Sequence, residues 1–270
     1  MADRVKDKPE LIDQLIPDFP PLCRRLTPGP GYLEALTKSN VSYITTPISH
    51  FTKTGIVTAD DVERDVDAVI CSTGANIDMR PPFPVIGRDG KNLYDAWTPD
   101  PITYIGIATP SFPNLLFLGG PNAAGYSGTV PNNAETQITY IAKLLRKVGR
   151  EGIKTFAPSQ AATDDFMEYS DTFFAKTVWT DNCSSWANGG RPGGRIHGHW
   201  AGSASHVNFI RKDPRWEDFE WTSKSETGNR FAWFGNGWTE KESVEGRDVV
   251  AYIKRPDQID LRTFHEEWFE

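Results

Sequence analysis

Residues 114–131 read Asn114-Leu-Leu-Phe-Leu-Gly-Gly-Pro-Asn-Ala-Ala-Gly-Tyr-Ser-Gly-Thr-Val-Pro131, a short apolar run followed by a glycine-rich stretch. A few apolar residues closed by glycines are typical of a buried parallel strand that runs into a tight turn. Downstream, over about residues 133–148, apolar residues recur on one helical stripe: Ile138, Ile141, Leu145 and Val148. Asn132 or Asn133 is expected to cap this helix. The sequence therefore predicts a strand, a glycine-rich loop and a helix in succession.

A second apolar run lies upstream, in Asp67-Ala-Val-Ile-Cys-Ser-Thr-Gly74. It predicts a second buried parallel strand near residues 67–71, in addition to the one expected at 114–118. Alternating apolar residues between turn formers predict an antiparallel meander over residues 41–58. Shorter elements are expected as helical turns at 11–16 and 32–36, a helix at 163–180 and a strand at 230–234. Together these patterns indicate an α/β fold in one domain, residues 1–270.

Composition excludes several classes of protein. The 270 residues carry 29 basic and 36 acidic side chains, a net charge of −7, which argues against nucleic acid or an anionic membrane as partner. The sequence has no run of about 18 apolar residues, which would be needed to predict a membrane-spanning helix. The charged first ten residues do not resemble a secretory signal. The many aromatic residues are consistent with either a rich core or a pocket for an apolar ligand. We therefore expect a soluble, cytoplasmic protein.

The three cysteines stand alone in the sequence. Cys23, Cys71 and Cys183 form no CxxC pair, so neither a disulfide framework nor a structural zinc site is expected. Cys71 lies inside a predicted buried strand, where a thiol is inert. His197 and His199 alternate, but no carboxylate or cysteine stands at metal-ligand spacing, so no metal site is predicted.

Several stretches resemble a known family. The run ending at Gly74 resembles the acidic–apolar–ATG strand of flavoproteins with two dinucleotide-binding domains, and Phe112-Pro-Asn-Leu-Leu-Phe-Leu-Gly-Gly-Pro-Asn122 resembles their late strand and turn. Four further stretches narrow the resemblance to the C-terminal half of fungal-type Baeyer–Villiger or flavin-containing monooxygenases. These are Ile16-Pro-Asp-Phe-Pro-Pro-Leu-Cys-Arg-Arg-Leu-Thr-Pro-Gly-Pro-Gly-Tyr32, Ser185-Trp-Ala-Asn-Gly-Gly190, Pro214-Arg-Trp-Glu-Asp-Phe219 and Asn229-Arg-Phe-Ala-Trp-Phe-Gly-Asn-Gly237. The resemblance implies a truncated, remodelled doubly wound FAD-binding-type domain with an antiparallel β-meander.

The nucleotide-binding fingerprints of that family are absent from these 270 residues. The family anchors FAD on a GxGxxG turn and NADPH on a second glycine-rich turn that an FxGxxxHxxxW-like signature precedes. The near match Gly29-Pro-Gly31 follows prolines and has Leu33-Glu34-Ala35 where a third glycine is needed. A pyrophosphate needs the backbone N–H groups of such a turn, so this chain is expected to work without a cofactor. If FAD is retained, the expected contacts are Thr73, Gly74, Gly120 and Pro121.

Most candidate site residues follow from the resemblance, and His199 is added as a polar pocket wall from the run His197-Gly-His199-Trp200. The candidate catalytic residues are Arg25, Asn122 and Tyr126; Arg25 lies where the family keeps an arginine that stabilises negative charge on the oxygen-activated flavin. In a redox-inactive relative these groups would donate hydrogen bonds to a substrate carbonyl. Residues expected to contact substrate are Ser127, Thr129, Trp186, His199 and Trp200. The simpler alternatives are a plain glycine-rich connection for residues 119–131 and a packed loop tryptophan for Trp186.

Three functions remain open from the sequence. The first is a cofactor-independent enzyme of natural-product biosynthesis, which folds an apolar polyene or terpenoid-like substrate for cyclisation, for example an intramolecular [4+2] cycloaddition, in the cavity left by a lost flavin. The second is a fragment of an FAD- and NADPH-dependent Baeyer–Villiger-type monooxygenase that works with a missing N-terminal half. The third is a non-catalytic protein that binds a hydrophobic ligand. An exposed sheet would have to be covered by repacking or by a homodimer.

Overall fold

The computed structural model describes residues 1–24, 29–125, 129–238, 242 and 244–246. The chain divides into two compact units. One comprises residues 1–144 and 156–220, and the other comprises residues 145–155 and those from 221 onward. The assignment of a single domain over 1–270 stays a prediction.

Helices make up most of the regular structure in the described residues. The α-helices are α1 (Ile12–Leu15), α2 (Tyr32–Leu36), α3 (Leu93–Ala96), α4 (Val130–Arg150), α5 (Gln160–Phe174) and α6 (Ala204–Ile210). Single-turn 3-10 helices lie at Ala2–Arg4, Pro9–Leu11, Arg88–Gly90, Val178–Thr180, Trp186–Asn188, Trp216–Asp218 and Ala232–Phe234. The strand predicted at 230–234 is therefore wrong. The helix predicted at 163–180 runs instead from Gln160, where the Ser159 hydroxyl accepts a hydrogen bond from the Ala162 N–H, to Phe174.

The predicted meander forms, displaced toward the C-terminus. Strands β1 (Ile48–Phe51), β2 (Gly55–Thr58) and β3 (Glu63–Asp65) pair in the order β1-β2-β3, and both pairs are antiparallel. The register places Phe51 opposite Ile56 and Val57 opposite Glu63. Only β2, the central strand, is largely buried. Two further strands, β4 (Ile153–Pro158) and β5 (Phe219–Ser223), form a separate two-stranded sheet.

Neither predicted parallel strand forms. Residues 67–74 have no regular structure and are exposed; Ile70 is 91 % exposed. A parallel strand needs a hydrogen-bonded neighbour, and no described segment pairs with this one. Residues 114–118 are held by single contacts instead, such as the bridge from Leu116 to Ala108 and the 2.7 Å bond from the Phe117 N–H to the Ile107 carbonyl.

Helix α4 buries a different face from the one predicted. Its fully buried residues are Gln137, Tyr140 and Leu144, whereas Ile138 and Leu145 are half exposed. The Gln137 amide nitrogen donates to the carbonyls of Gly106 (2.9 Å) and Phe117 (3.5 Å), and its oxygen accepts from the Gly119 N–H at 2.9 Å. One side chain thus satisfies backbone groups that a sheet ladder would otherwise pair.

Candidate functional site

The loop that follows residue 118 is anchored by a buried asparagine. Asn122 has no solvent exposure and a left-handed backbone with φ of 57°. Its N–H donates to the His197 carbonyl at 2.5 Å, and its side-chain amide donates to the carbonyls of Ile196 (3.3 Å) and His199 (3.1 Å). Asparagine tolerates this backbone conformation better than most residues do. The residue predicted to be catalytic therefore joins two loops with its donor groups.

The segment 197–200 lies against this loop and carries two histidines in unlike surroundings. His197 is fully buried, and its Nδ1 lies 3.8 Å from an Asp100 carboxylate oxygen. Burial is the main cause that lowers the pKa of His197, against the attraction of Asp100. His199 is half-buried between the rings of Trp179 and Trp186, with ring centroids 4.4 and 4.5 Å away. Among the residues that the structure describes, no cluster of His, Cys, Asp or Glu could hold a metal ion.

Trp200 is a buried packing residue. It stacks on Phe166 with centroids 5.3 Å apart, and its indole N–H donates to His206 Nδ1 at 3.0 Å. Its backbone N–H donates to the Ala124 carbonyl at 2.7 Å. The predicted substrate contact is thus closed from solvent and braces the loop that contains Asn122.

The turn that carries Trp186 is rigid and covalently tied. The Ser185 hydroxyl accepts from the Ala187 N–H, and the Asn188 amide accepts from the Ser185 N–H and donates to the Cys183 carbonyl. Cys183 forms a disulfide with Cys23, 160 residues away. No disulfide framework was expected from the sequence, and this single bond was not anticipated, because chain separation says nothing about spatial proximity. Cys71 is free but exposed, not the core thiol that was predicted.

Sequence reasoning missed a buried arginine. Arg211 is 1 % exposed and donates to the carbonyls of Ile105 and Ala123 and to the Asn133 side-chain oxygen, over distances of 2.8–3.3 Å. Its guanidinium also lies 5.3 Å from the Trp200 ring centroid. Burial lowers the pKa of Arg211 to about 9. Arg211 follows the buried Val207 by one helical turn, which is the sequence signal that could have placed it inside.

The structure brings together part of the predicted site. Asn122, Trp186, His199 and Trp200 are joined through the contacts above. Thr129 is exposed and accepts from the Asn132 N–H at 3.3 Å, so it caps α4 in place of Asn132 or Asn133. Three predicted residues lie outside the described part of the chain: Arg25, Tyr126 and Ser127.

Three cavities lie elsewhere in the described part of the chain. One of about 530 Å³ is an open groove whose lining includes Trp97, Phe112, Lys91 and Ser111. Two others of about 380 and 400 Å³ are lined by residues of α5 and by residues 85–88 with 112–115. None of the predicted site residues that the structure describes lines any of these three cavities.

The described residues do not fit FAD by themselves. In the near-match turn, the Gly31 N–H donates to the Glu34 carboxylate at 2.8 Å, where a phosphate would meet a negative charge. The Arg4 guanidinium, bound to Glu34 at 2.6 Å, holds the pKa of that carboxyl down at about 2, so the charge persists. Thr73 and Gly74 are exposed in an irregular segment, while Pro121 is buried and its carbonyl accepts from Thr103. The described residues therefore do not support a flavin-dependent reaction on this chain alone.

No helix in the described part of the chain has both the length and the apolar character needed to cross a bilayer.

Several known monooxygenases are similar to this chain in sequence. No protein-family model matches the chain. The FAD-binding monooxygenase moxY of Dothistroma septosporum is 36 % identical over 272 residues, which covers 100 % of this chain and 42 % of the relative. The FAD-binding monooxygenase stcW of Emericella nidulans is 36 % identical over 94 % of this chain and 42 % of its own length. A Baeyer-Villiger monooxygenase of Pseudomonas aeruginosa is 36 % identical over 68 % of this chain and 35 % of its own length.

Solved structures agree on the fold. The closed structure of cyclohexanone monooxygenase superposes with a TM-score of 0.71 at 25 % identity, over 82 % of this chain and 43 % of that one. A steroid monooxygenase bound to NADP has a TM-score of 0.70 at 22 % identity, over 82 % of this chain and 42 % of its own. The mixed helix–strand fold with an antiparallel meander is therefore that of a truncated flavin monooxygenase, as predicted. The chain spans about two fifths of the length of the curated relatives it matches.

Proposed function

Because this chain is a homologue of FAD-binding monooxygenases over 42 % of their length, and of a Baeyer-Villiger monooxygenase over 35 %, we propose that it supplies one part of such an enzyme. The segments that anchor FAD and NADPH would come from polypeptide outside these 270 residues. When bound, the flavin would take two electrons from NADPH and activate molecular oxygen, of which one atom would be inserted next to a ketone and the other would leave as water. This proposal adopts the second of the three functions left open by the sequence.

One observation supports it above the others. Val69 and Ile70 are exposed in the segment whose sequence is typical of a buried strand. Their burial against added strands would stabilise an assembly by about 3–5 kcal/mol, at about 25 cal/mol per Å² of apolar surface. The segment also presents unpaired backbone groups to a partner strand.

The residues of this chain would form one wall of the assembled site. Trp186 on its tied turn and His199 beside it present aromatic surface, and Asn122 fixes the loop that leads to α4. Arg25, two residues after Cys23 in sequence, would donate hydrogen bonds to an oxyanion, as the resemblance implies.

The other two functions need an enclosed apolar cavity beside Asn122. Cofactor-independent cyclisation would fold a polyene there, and a non-catalytic protein would hold a hydrophobic ligand there. The three described cavities lie elsewhere, so the experiment below tests both functions as alternatives to the proposal.

The experiment compares the chain alone with the chain co-expressed with the complementary N-terminal segment of moxY. The proposal expects a colourless chain alone, and a co-purified complex with about one flavin that oxidises NADPH when a cyclic ketone is added. Ile70→Asp should prevent complex formation, whereas Ile48→Asp, at another exposed isoleucine, should not.

Four results would contradict the proposal. A chain that binds flavin alone would remove the need for a partner. Conversion of a polyene by the colourless chain would favour the cyclase. Saturable binding of an apolar probe without turnover, and without complex formation, would favour the binding protein. A stable homodimer in light scattering, insensitive to the N-terminal segment, would show that a second copy covers the exposed run.

A further inference from the structure

We propose that Cys23 and Cys183 are a thiol–disulfide modification site that holds the segment before Arg25 against the Trp186 turn when oxidised and releases it when reduced. The inference goes beyond the proposed function and does not depend on a bound flavin. It rests on where the bond lies in the chain and on what else holds each end.

On the N-terminal side, the disulfide is the main anchor. Cys23 is the one buried residue from Ile12 to Arg24, a range that the structure describes completely. Ile16, Phe19 and Leu22 in this range are all exposed. Without the covalent bond, this range would still be joined to the Trp186 turn by the hydrogen bond from the Arg24 guanidinium to the Ser184 carbonyl, which is exposed to solvent. An exposed hydrogen bond contributes little when the segment can exchange it for water.

On the Cys183 side of the disulfide, the turn that carries Trp186 is also held by hydrogen bonds and packing. Besides the Ser185–Asn188 bonds, the Ala187 carbonyl accepts from the N–H groups of His197 and Gly198 at 2.8 and 2.9 Å. Ala187 is fully buried in the cluster that includes Phe174 and Ile196. Reduction should therefore free residues 16–24 while the Trp186 turn stays in place.

The exchange reaction is balanced by a dithiol reductant of the thioredoxin or dithiothreitol class. The Sγ–Sγ bond breaks, each cysteine sulfur takes up one electron and one proton, and the reductant closes to its own disulfide. Disulfides in reducing compartments are transient and are often redox-sensing, whereas they persist in oxidising ones. The two residues are only 5 % and 7 % exposed, so attack by the reductant requires local opening and should be slow in the native protein.

The test is limited trypsin digestion of the full chain, because Arg24 and Arg25 are consecutive tryptic sites. Non-reducing peptide mapping after oxidation with glutathione disulfide should recover the Cys23–Cys183 linkage. Dithiothreitol should then speed cleavage at Arg24–Arg25 on the order of tenfold, as local opening replaces a covalent restraint. Cleavage after the exposed Lys53 should change little, which separates local release from global unfolding.

Cysteine variants test whether the effect of dithiothreitol depends on the Cys23–Cys183 bond. Cys71→Ser, at the exposed free thiol, should behave as the wild type does, with the same response to dithiothreitol. Cys23→Ser combined with Cys183→Ser should be cleaved rapidly at Arg24–Arg25 with or without reductant. Absence of the Cys23–Cys183 peptide after oxidation would overturn the modification site. Cleavage at Arg24–Arg25 that is unchanged by reduction, or that rises only in step with cleavage at Lys53, would overturn the release.

Discussion

Replacement of Asn122 tests whether this residue holds the site together. Asn122→Ala removes two side-chain hydrogen bonds and leaves the buried Ile196 carbonyl and the His199 carbonyl without that donor. Each unsatisfied buried acceptor costs about 1–2 kcal/mol here. Alanine at φ of 57° adds about 1 kcal/mol of backbone strain. We expect the free energy of unfolding to fall by about 3–5 kcal/mol, summed from these terms.

Asn122→Asp separates hydrogen bonding from shape. The aspartate has nearly the same volume, but its ionised form has no donor and faces two carbonyl oxygens, so its folded-state pKa is raised. Stability is then retained below the unfolded value of about 3.9 and lost as pH rises through the folded pKa. The deficit of the Asp variant should therefore grow from pH 4 to pH 7, whereas that of the Ala variant should stay constant.

The assay is urea unfolding followed by tryptophan fluorescence at both pH values. Asn92→Asp is the matched control, because Asn92 caps α3 through its side-chain oxygen, which aspartate retains. It should change stability by less than about 0.5 kcal/mol. The reasoning would be refuted by an Asn122→Ala variant as stable as the wild type, or by an Asp variant with no dependence on pH.

Three further predictions follow from buried groups. Because burial lowers the pKa of His197, the unfolded chain binds the proton more tightly, so stability should fall as pH drops below about 6.5; urea midpoints of His197→Gln should show a flatter profile. Gly106→Ala would place Cβ 2.7 Å from the Asn122 carbonyl oxygen at φ of +72°, and it should lower stability by about 3 kcal/mol in thermal unfolding. Gly90→Ala, at φ of +73° in open space, should cost only about 1 kcal/mol, and equal losses would contradict the packing argument. Trp200→Ala should cost about 3–5 kcal/mol and Trp200→Phe about 1–2 kcal/mol, because phenylalanine keeps the stacking on Phe166 but loses the bond to His206; calorimetry that ranks them in the reverse order would reject this assignment.

Local patterns in the sequence predicted local structure well. The α4 helix, the Tyr32–Leu36 helix and the antiparallel meander follow from periodicity and turn residues over short ranges. The predicted strand at 67–71 failed for a different reason. Its apolar pattern specifies burial between neighbouring strands, and the described residues supply none. The same cause explains why Ile138 and Leu145 are half exposed on α4 although they lie on an apolar stripe.

Long-range pairings could not be predicted from the sequence. The Cys23–Cys183 bond, the Arg211 contacts and the approach of Asn122 to His199 join residues 77 to 160 positions apart. No pattern in a single sequence encodes such proximity. The resemblance identified Trp186 as a neighbour of a site, and the run His197-Gly-His199-Trp200 made His199 a candidate, yet only the structure shows that their rings are in contact.

The position of Gln137 has an evolutionary consequence. Its amide satisfies backbone groups of two separate segments, Gly106 and residues 117–119, with two donated bonds and one accepted bond. Glutamate would keep the reach but lose the donors, and asparagine would keep the donors but fall a methylene short. Substitution of Gln137 during evolution should therefore be rare, and a lineage that accepts one must reorganise both segments at the same time.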